Sequence, residues 1–244
     1  MKKGTLLSII IPVKNEQDNI AWTIEKIKRT VTANNEILII YDSPKDNTLP
    51  IVRKLKASNK NLLLIENTKG DGVLNAIKMG ITKANGEIIV VMAADRTDDP
   101  KIIDKMYQKI LAGFDMVCPT RYSKGGKVVG PTNIKSLLSR LSGITTPFLL
   151  GIPTSDLTYS YKMFRKQILD KIRIESKGGF EFAEELLIKS HFSGAKIIEI
   201  PTLWVDRKYG KSKFKLVTWL PRYIYWYLWG MTMRLKALSK LLHV

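Results

Sequence analysis

The run Leu6-Leu-Ser-Ile-Ile-Ile11, followed by Pro12-Val-Lys-Asn-Glu16 and an apolar-periodic stretch from Gln17 to Val31, decides the fold. A short β-branched segment that ends in a polar loop and feeds a helical pattern is one βα unit. The same alternation recurs downstream. Strands are expected over Glu36 to Tyr41, Leu62 to Glu66, Glu87 to Met92 and Phe114 to Pro119. Helices are expected over Gln17 to Val31, Thr48 to Ala57, Gly72 to Ala84 and Pro100 to Ala112. Repeated βα units give an α/β domain with a mostly parallel sheet. Ligands of open α/β sheets collect outside the carboxyl ends of the strands. The loops to watch are therefore Pro12 to Glu16, Asp42 to Asn47, Asn67 to Gly72 and Ala93 to Pro100.

The second half is less regular. A basic stretch punctuated by Gly and Pro leads to an expected strand over Thr158 to Phe164, a helix over Phe180 to His191 and a strand over Ala195 to Pro201. The last thirty residues crowd Trp219, Tyr223, Tyr225, Trp226, Tyr227 and Trp229 beside Arg222, Arg234, Lys236 and Lys240. The uncharged run Tyr223 to Met233 is shorter than the roughly 20 apolar residues a span requires. Aromatic rings next to cations suit a lipid headgroup layer, so residues 215–244 read as an amphipathic peripheral anchor attached to one domain over 1–214. The other reading of this segment is a terminal helix packed on its own domain or on a twin chain.

Composition bounds the class. The chain has 244 residues, 45% of them apolar, enough for a real core, and one cysteine, Cys118, which excludes an internal disulfide framework. No signal peptide is legible at Met1-Lys-Lys, which points to a reducing compartment. Forty Lys and Arg against 22 Asp and Glu give a net charge of +18, and two stretches, between Asp115 and Asp156 and after Asp206, hold basic residues and no acid. Such an excess calls for anionic partners. A nucleic-acid binder is disfavoured, since the aromatics cluster in a terminal run and no nucleic-acid module is recognisable.

Taken in order, the loops resemble one family. Ser8-Ile-Ile-Ile-Pro-Val-Lys-Asn-Glu16, Tyr41-Asp-Ser-Pro-Lys-Asp-Asn-Thr48, Gly72 to Gly80 with Ala84-Asn-Gly-Glu87, and Met92-Ala-Ala-Asp-Arg-Thr-Asp-Asp-Pro100 are similar to the inverting family 2 glycosyltransferases. Thr120-Arg-Tyr122 with Gly125-Gly126, Asp156-Leu-Thr158, Gly179-Phe-Glu-Phe182 with Glu184, and Arg207-Lys-Tyr-Gly-Lys-Ser-Lys213 resemble the polyprenyl-phosphate branch, of dolichol-phosphate mannose synthase type. The resemblance covers residues 6 to 214. It implies a GT-A fold, a Rossmann-like, mostly parallel sheet flanked by helices. It also implies transfer of one sugar from a nucleotide-sugar to a polyprenyl phosphate at the cytoplasmic membrane face.

By the resemblance, Pro12, Lys14, Glu16 and Asp42 hold the nucleotide, joined by Ala93, Ala94, Asp95, Arg207 and Lys213. Asp95, Arg121 and Arg207 carry catalysis, and Arg121, Lys135, Ser139 and Arg140 take the acceptor phosphate. The family's metal motif is Asp-x-Asp with a further polar ligand two residues on. Here Ala93 replaces the first acid and Thr97 stands where Gln is common, which leaves Asp95, with Asp98 as a replacement, to hold Mg2+ or Mn2+. Tyr41 likewise replaces one of two adjacent acids beside Asp42. Asp42 and Asp46 also read as turn or cap acceptors, and Asp99 before Pro100 reads as a helix N-cap. Asp156 and Glu184 read either as acids of the site or as anchors for basic side chains. A lipid monophosphate is anionic near neutral pH, its second pKa being about 6, and attacks without a strong base. A hydroxyl acceptor would need one. A degenerate member that binds nucleotide-sugar without turnover is the remaining alternative.

Overall fold

The computed structural model describes residues 6–131, 134–207, 209 and 216–242. The opening run forms β1 (Leu7–Val13), followed by α1 (Ile20–Thr30), β2 (Asn35–Tyr41), α2 (Leu49–Lys56), β3 (Leu62–Glu66), α3 (Val73–Lys83) and β4 (Ile88–Val91). A 3-10 turn at Pro100–Ile102 leads into α4 (Ile103–Leu111) and β5 (Met116–Thr120). The second half supplies β6 (Lys127–Val129), α5 (Ile134–Leu149), β7 (Lys162–Arg165), α6 (Phe182–Phe192), β8 (Ile197–Pro201), β9 (Leu203–Val205) and α7 (Leu216–Leu242). Seven strands join in the order β3-β2-β1-β4-β7-β5-β8, and β6 pairs with β9 in a separate ribbon. All pairings in the large sheet are parallel except those of β7, which runs antiparallel to β4 and β5.

Period-two alternation explains the two layers of core. Ile9 and Ile11 of β1 face Ile20, Ile24 and Ile27 of α1 with Met106 and Ile110 of α4. Ile10, Leu38 and Ile40 face the opposite layer, with Leu74 and Ile77 of α3 and Leu186 and Leu187 of α6. Burial on both faces makes these strands continuous apolar runs.

Other motif residues hold the fold. Ser8 donates to Glu36 at 2.6 Å, and Glu36 also accepts from the Asn85 backbone at 2.7 Å and its side-chain amide at 2.9 Å. A Cβ on Gly86 would stand 2.6 Å from the Leu6 carbonyl, so Asn85-Gly86 is a packing device under β1. Cys118 is fully buried in β5, and burial pushes its thiol up to about 12. That thiol is inert.

One expectation is corrected. The strand expected over Thr158 to Phe164 begins only at Lys162, whose buried ammonium donates to the Leu157 and Tyr159 carbonyls and curls that segment out of pairing geometry. The basic stretch punctuated by Gly and Pro contains a 16-residue helix, α5, with Pro147 inside it. α7 does two things at once. Trp226 is buried with Tyr227 and Trp229 against the second core layer, whereas Val217, Leu228 and Leu235 stand exposed.

Candidate active site

The parallel strands β2, β1 and β4 end side by side and place three of the candidate loops along one crevice. After β1, the Asn15 backbone takes a left-handed φ of 56° and donates to both carboxylate oxygens of Asp46 at 3.1 Å. The Glu16 amide donates to the Thr48 hydroxyl at 2.9 Å, and the Glu16 carboxylate accepts from Asn19. Asp46 also accepts from the Thr48 amide at 2.8 Å, closing the turn that leads into α2. Asp42, at the end of β2, accepts from the Asn67 side chain at 2.8 Å and the Gly72 amide at 2.9 Å, tying the third loop to the second. Pro12, Lys14 and Glu16 thus stand at the carboxyl end of β1, and Asp42 at that of β2. Lys14 is exposed.

After β4, Ala94 faces the core and its carbonyl accepts from Thr23 at 2.9 Å. Asp95 turns the other way. One of its oxygens accepts from the Thr97 amide at 3.2 Å and hydroxyl at 2.7 Å, and the other lies 2.8 Å from Nη2 of Arg207. Asp98 is buried, with one oxygen accepting from Tyr159 at 2.6 Å and the other from the Ala93 amide at 2.7 Å. Burial raises Asp98 to about 7, against the pull of those two hydrogen bonds. Asp99 caps the following turn through the Lys101 amide at 3.1 Å.

These side chains open into a cavity of about 880 Å³. Its charged lining includes Asp95, Asp98, Arg121, Asp206 and Arg207, which follow strand ends. Its apolar lining comes from Leu138, Leu141 and Leu149 of α5 and from Leu216, Leu220 and Ile224 of α7. Arg121 is locked in place. Asp156, fully buried, accepts from its Nε at 2.7 Å, its Nη2 at 2.8 Å and its backbone amide at 3.0 Å. Nη2 also donates to Ser139 at 2.9 Å, and the guanidinium lies against Tyr159 at 4.6 Å and Tyr122 at 5.0 Å. Burial alone would lower the Arg121 pKa, and the Asp156 carboxylate more than reverses this.

Lys135 and Ser139, one helical turn apart, line the cavity, while Arg140 is exposed and does not. Helical geometry is the reason, since position 140 lies about 100° round the axis from position 139. Lys213 lies outside the described residues. Glu184 also lines the cavity. It is buried, its Oε2 has no hydrogen-bond partner among the described residues, and burial raises its pKa well above the carboxylate range. Sequence reasoning missed Thr158, Tyr159, Trp204 and Asp206 in the lining, along with Tyr223 and Tyr227 of α7. The i, i+4 spacing of the two tyrosines was the available signal.

A hard divalent cation takes several oxygen ligands. Ala93 offers no side-chain oxygen, Asp98 has both of its oxygens engaged, and the outward oxygen of Asp95 sits on a guanidinium. Among the described residues no group of three His, Cys, Asp or Glu is placed to hold a metal. The expected pairing of Asp95 with Asp98 around Mg2+ or Mn2+ does not fit these side chains.

The family model for Glycosyl transferase family 2 matches residues 8–173. The chain belongs to this family. Its curated relatives include a dolichol-phosphate mannosyltransferase of Pyrococcus furiosus, 30% identical over 214 residues, with 86% of this chain and 59% of that protein covered. A polyprenol monophosphomannose synthase of Mycolicibacterium smegmatis is 26% identical over 212 residues, covering 84% of this chain and 79% of that protein. The chain spans about three fifths of the length of the Pyrococcus relative. Among solved structures, glucosyl-3-phosphoglycerate synthase from Mycobacterium tuberculosis, in complex with Mn2+, UDP and glucosyl-3-phosphoglycerate, aligns with a TM-score of 0.68. The match covers 94% of this chain and 81% of that chain at 16% identity. That likeness shows the α/β GT-A fold expected of a family 2 chain.

Proposed function

We propose that this family 2 glycosyltransferase moves one sugar from a nucleotide-sugar to a polyprenyl phosphate, with inversion. The cavity carries the reading, because it joins a charged, hydrogen-bonding lining, in which Arg121 and Arg207 stand beside Asp95 and Asp206, to an apolar lining between α5 and α7. A lipid monophosphate has that same division into an anionic head and an apolar chain. The curated relatives' names point to the same acceptor class.

In the reaction, an oxygen of the lipid phosphate forms a bond to the anomeric carbon from the face opposite the leaving group. The bond from that carbon to the donor diphosphate breaks, and its electron pair stays on the diphosphate. No proton has to move, so positioning and charge neutralisation are the protein's tasks. Arg121, held rigid by Asp156 and Ser139, orients the attacking phosphate, with Lys135 adding charge. Arg207 faces the departing diphosphate from the Asp95 side. The crevice at the carboxyl ends of β1 and β2, with Pro12, Lys14, Glu16 and Asp42, takes the nucleoside.

Exposed apolar side chains on both helices that flank the cavity, Leu137, Leu141 and Phe148 of α5 and Val217, Leu228 and Leu235 of α7, give the protein a surface for a lipid layer. Arg222, Arg234 and Lys236 add cations for anionic headgroups. No helix among the described residues is long and apolar enough to cross a membrane. The contact is peripheral and lies on the cytoplasmic face, where nucleotide-sugars are available.

A hydroxyl acceptor is the second reading, favoured by one observation: Asp98, at about 7, lines the cavity and has the pKa of a general base. Offering polyprenyl phosphate and polyprenol to the same enzyme separates the two. Product from the phosphate alone, with Asp98→Asn retaining most of the rate, supports the proposal. Product from the alcohol, lost in Asp98→Asn, refutes it.

A further inference from the structure

The side chains around Asp95 are arranged to hold a guanidinium where a metal ion would otherwise act. Asp95 has Thr97 on one oxygen and Arg207 on the other. The backbone that leads to Arg207 is held by two hydrogen bonds at Asp206. The Asp206 amide donates to the Val129 carbonyl at 2.7 Å, and the Asp206 carboxylate accepts from the Arg207 amide at 2.9 Å, so the residue leaves the β6-β9 ribbon in a set direction. Two residues on, the Tyr209 ring lies 5.2 Å from the guanidinium of Arg96, which also sits 5.4 Å from the Trp22 ring. Arg96 belongs to the Asp95 loop, has a left-handed φ of 67°, and donates to the Asp18 carbonyl. A bulky side chain held at positive φ marks a backbone over-determined by its surroundings. The stack of Trp22, Arg96 and Tyr209 therefore sets Tyr209 against the loop that bears Asp95.

Resting on the glycosyl-transfer reading above, we propose that this chain neutralises the departing nucleoside diphosphate with Arg207 in place of a divalent cation, and that Asp95 is the resting partner of that arginine. A guanidinium grips phosphate through paired N–H donors. A diphosphate carries more negative charge than one carboxylate, so the arriving donor draws Arg207 from Asp95, and the arginine returns when the diphosphate leaves. Asp95 and Arg96 are positioning residues in this scheme. The electron pair from the broken bond stays on the diphosphate oxygen that Arg207 engages.

Calorimetric titration of the intact chain with GDP and with UDP, in EDTA and in Mg2+, tests this. The proposal predicts that whichever nucleotide binds does so with the same affinity, within about twofold, in both buffers. It predicts that Arg207→Met weakens binding about tenfold or more in both, a loss typical of one charge-assisted phosphate contact. Arg207→Lys, which keeps the charge, recovers part of it. In the double variant Ala93→Asp/Thr97→Gln, which restores side-chain oxygens around Asp95, Mg2+ is expected to raise affinity where it did not before. Binding seen only with Mg2+ in the parent chain overturns the proposal and leaves the nucleotide-sugar reading standing. No nucleotide binding in either buffer overturns both.

Discussion

Replacing Asp156 with alanine strips three charge-assisted hydrogen bonds, at 2.7, 2.8 and 3.0 Å, from Arg121 and leaves the guanidinium against Tyr122 and Tyr159 with no carboxylate. Asp156 is fully buried and the Arg121 side chain is 13% exposed, so water replaces little of what is lost. Breaking a buried ion pair by removing one partner costs about 3–5 kcal/mol. With a urea slope of about 3 kcal/mol/M, that moves the unfolding midpoint down by about 1–2 M. Removing both charges with residues of similar volume, Arg121→Met with Asp156→Leu, restores most of the stability, because no unpaired charge remains. Both variants are expected to lose transfer activity, since Arg121 no longer holds the acceptor phosphate. Urea denaturation followed by circular dichroism reads the stability. A single variant that loses less than about 1 kcal/mol, or a double variant no more stable than the single, would show that Asp156 is not the anchor of Arg121.

Asp98 gives a pH prediction. Its folded value of about 7 lies above its ordinary 3.8, so the folded state holds the proton more tightly than the unfolded chain. The stabilisation is complete below about pH 4 and is lost as pH rises through 7, roughly 4 kcal/mol in all. Asp98→Asn flattens that part of the slope in urea midpoints taken from pH 4 to 8; Glu184, also raised by burial, adds a slope of the same sign, and His191, lowered by burial, one of the opposite sign. Gly143 tests how α5 closes the cavity: a Cβ there would stand 2.0 Å from the Ser155 carbonyl. Gly143→Ala should push α5 outward, raise KM for the lipid acceptor several-fold and leave nucleotide affinity unchanged in calorimetry. Leu228→Glu with Leu235→Glu, at exposed positions of α7, is expected to reduce co-sedimentation with anionic vesicles while the thermal midpoint changes by no more than a few degrees. An unchanged vesicle-bound fraction would remove α7 from the membrane contact.

How much of this was legible in the sequence depends on what each residue answers to. β1, β2 and β4 are buried on both faces, so their composition alone announces them, and the loops after them follow. α5 was hidden because Gly130 and Pro131 precede it, Pro147 interrupts it and its apolar residues include a solvent-facing stripe. All three features weaken a helical signal read from periodicity. The curl of Leu157 to Tyr161 depends on the buried Lys162 ammonium finding carbonyls, a choice settled by tertiary packing. Carboxylates were visible as candidates, but not which of their oxygens were already taken. Asp46 turned out to brace two loops, Asp156 to hold Arg121, and Asp95 to pair with an arginine from the far end of the chain. Arg140 was placed in the acceptor site by the family resemblance, whereas the helix turns it to solvent.

The most direct test is transfer of radiolabelled sugar from GDP-, UDP- and dTDP-linked donors to polyprenyl phosphate in detergent, with product taken into organic solvent. The account predicts an extractable, mild-acid-labile product from one donor class that depends on Arg121 and forms in EDTA. Nucleotide binding without any lipid-linked product from any donor, or product made only on a hydroxyl acceptor, would contradict it.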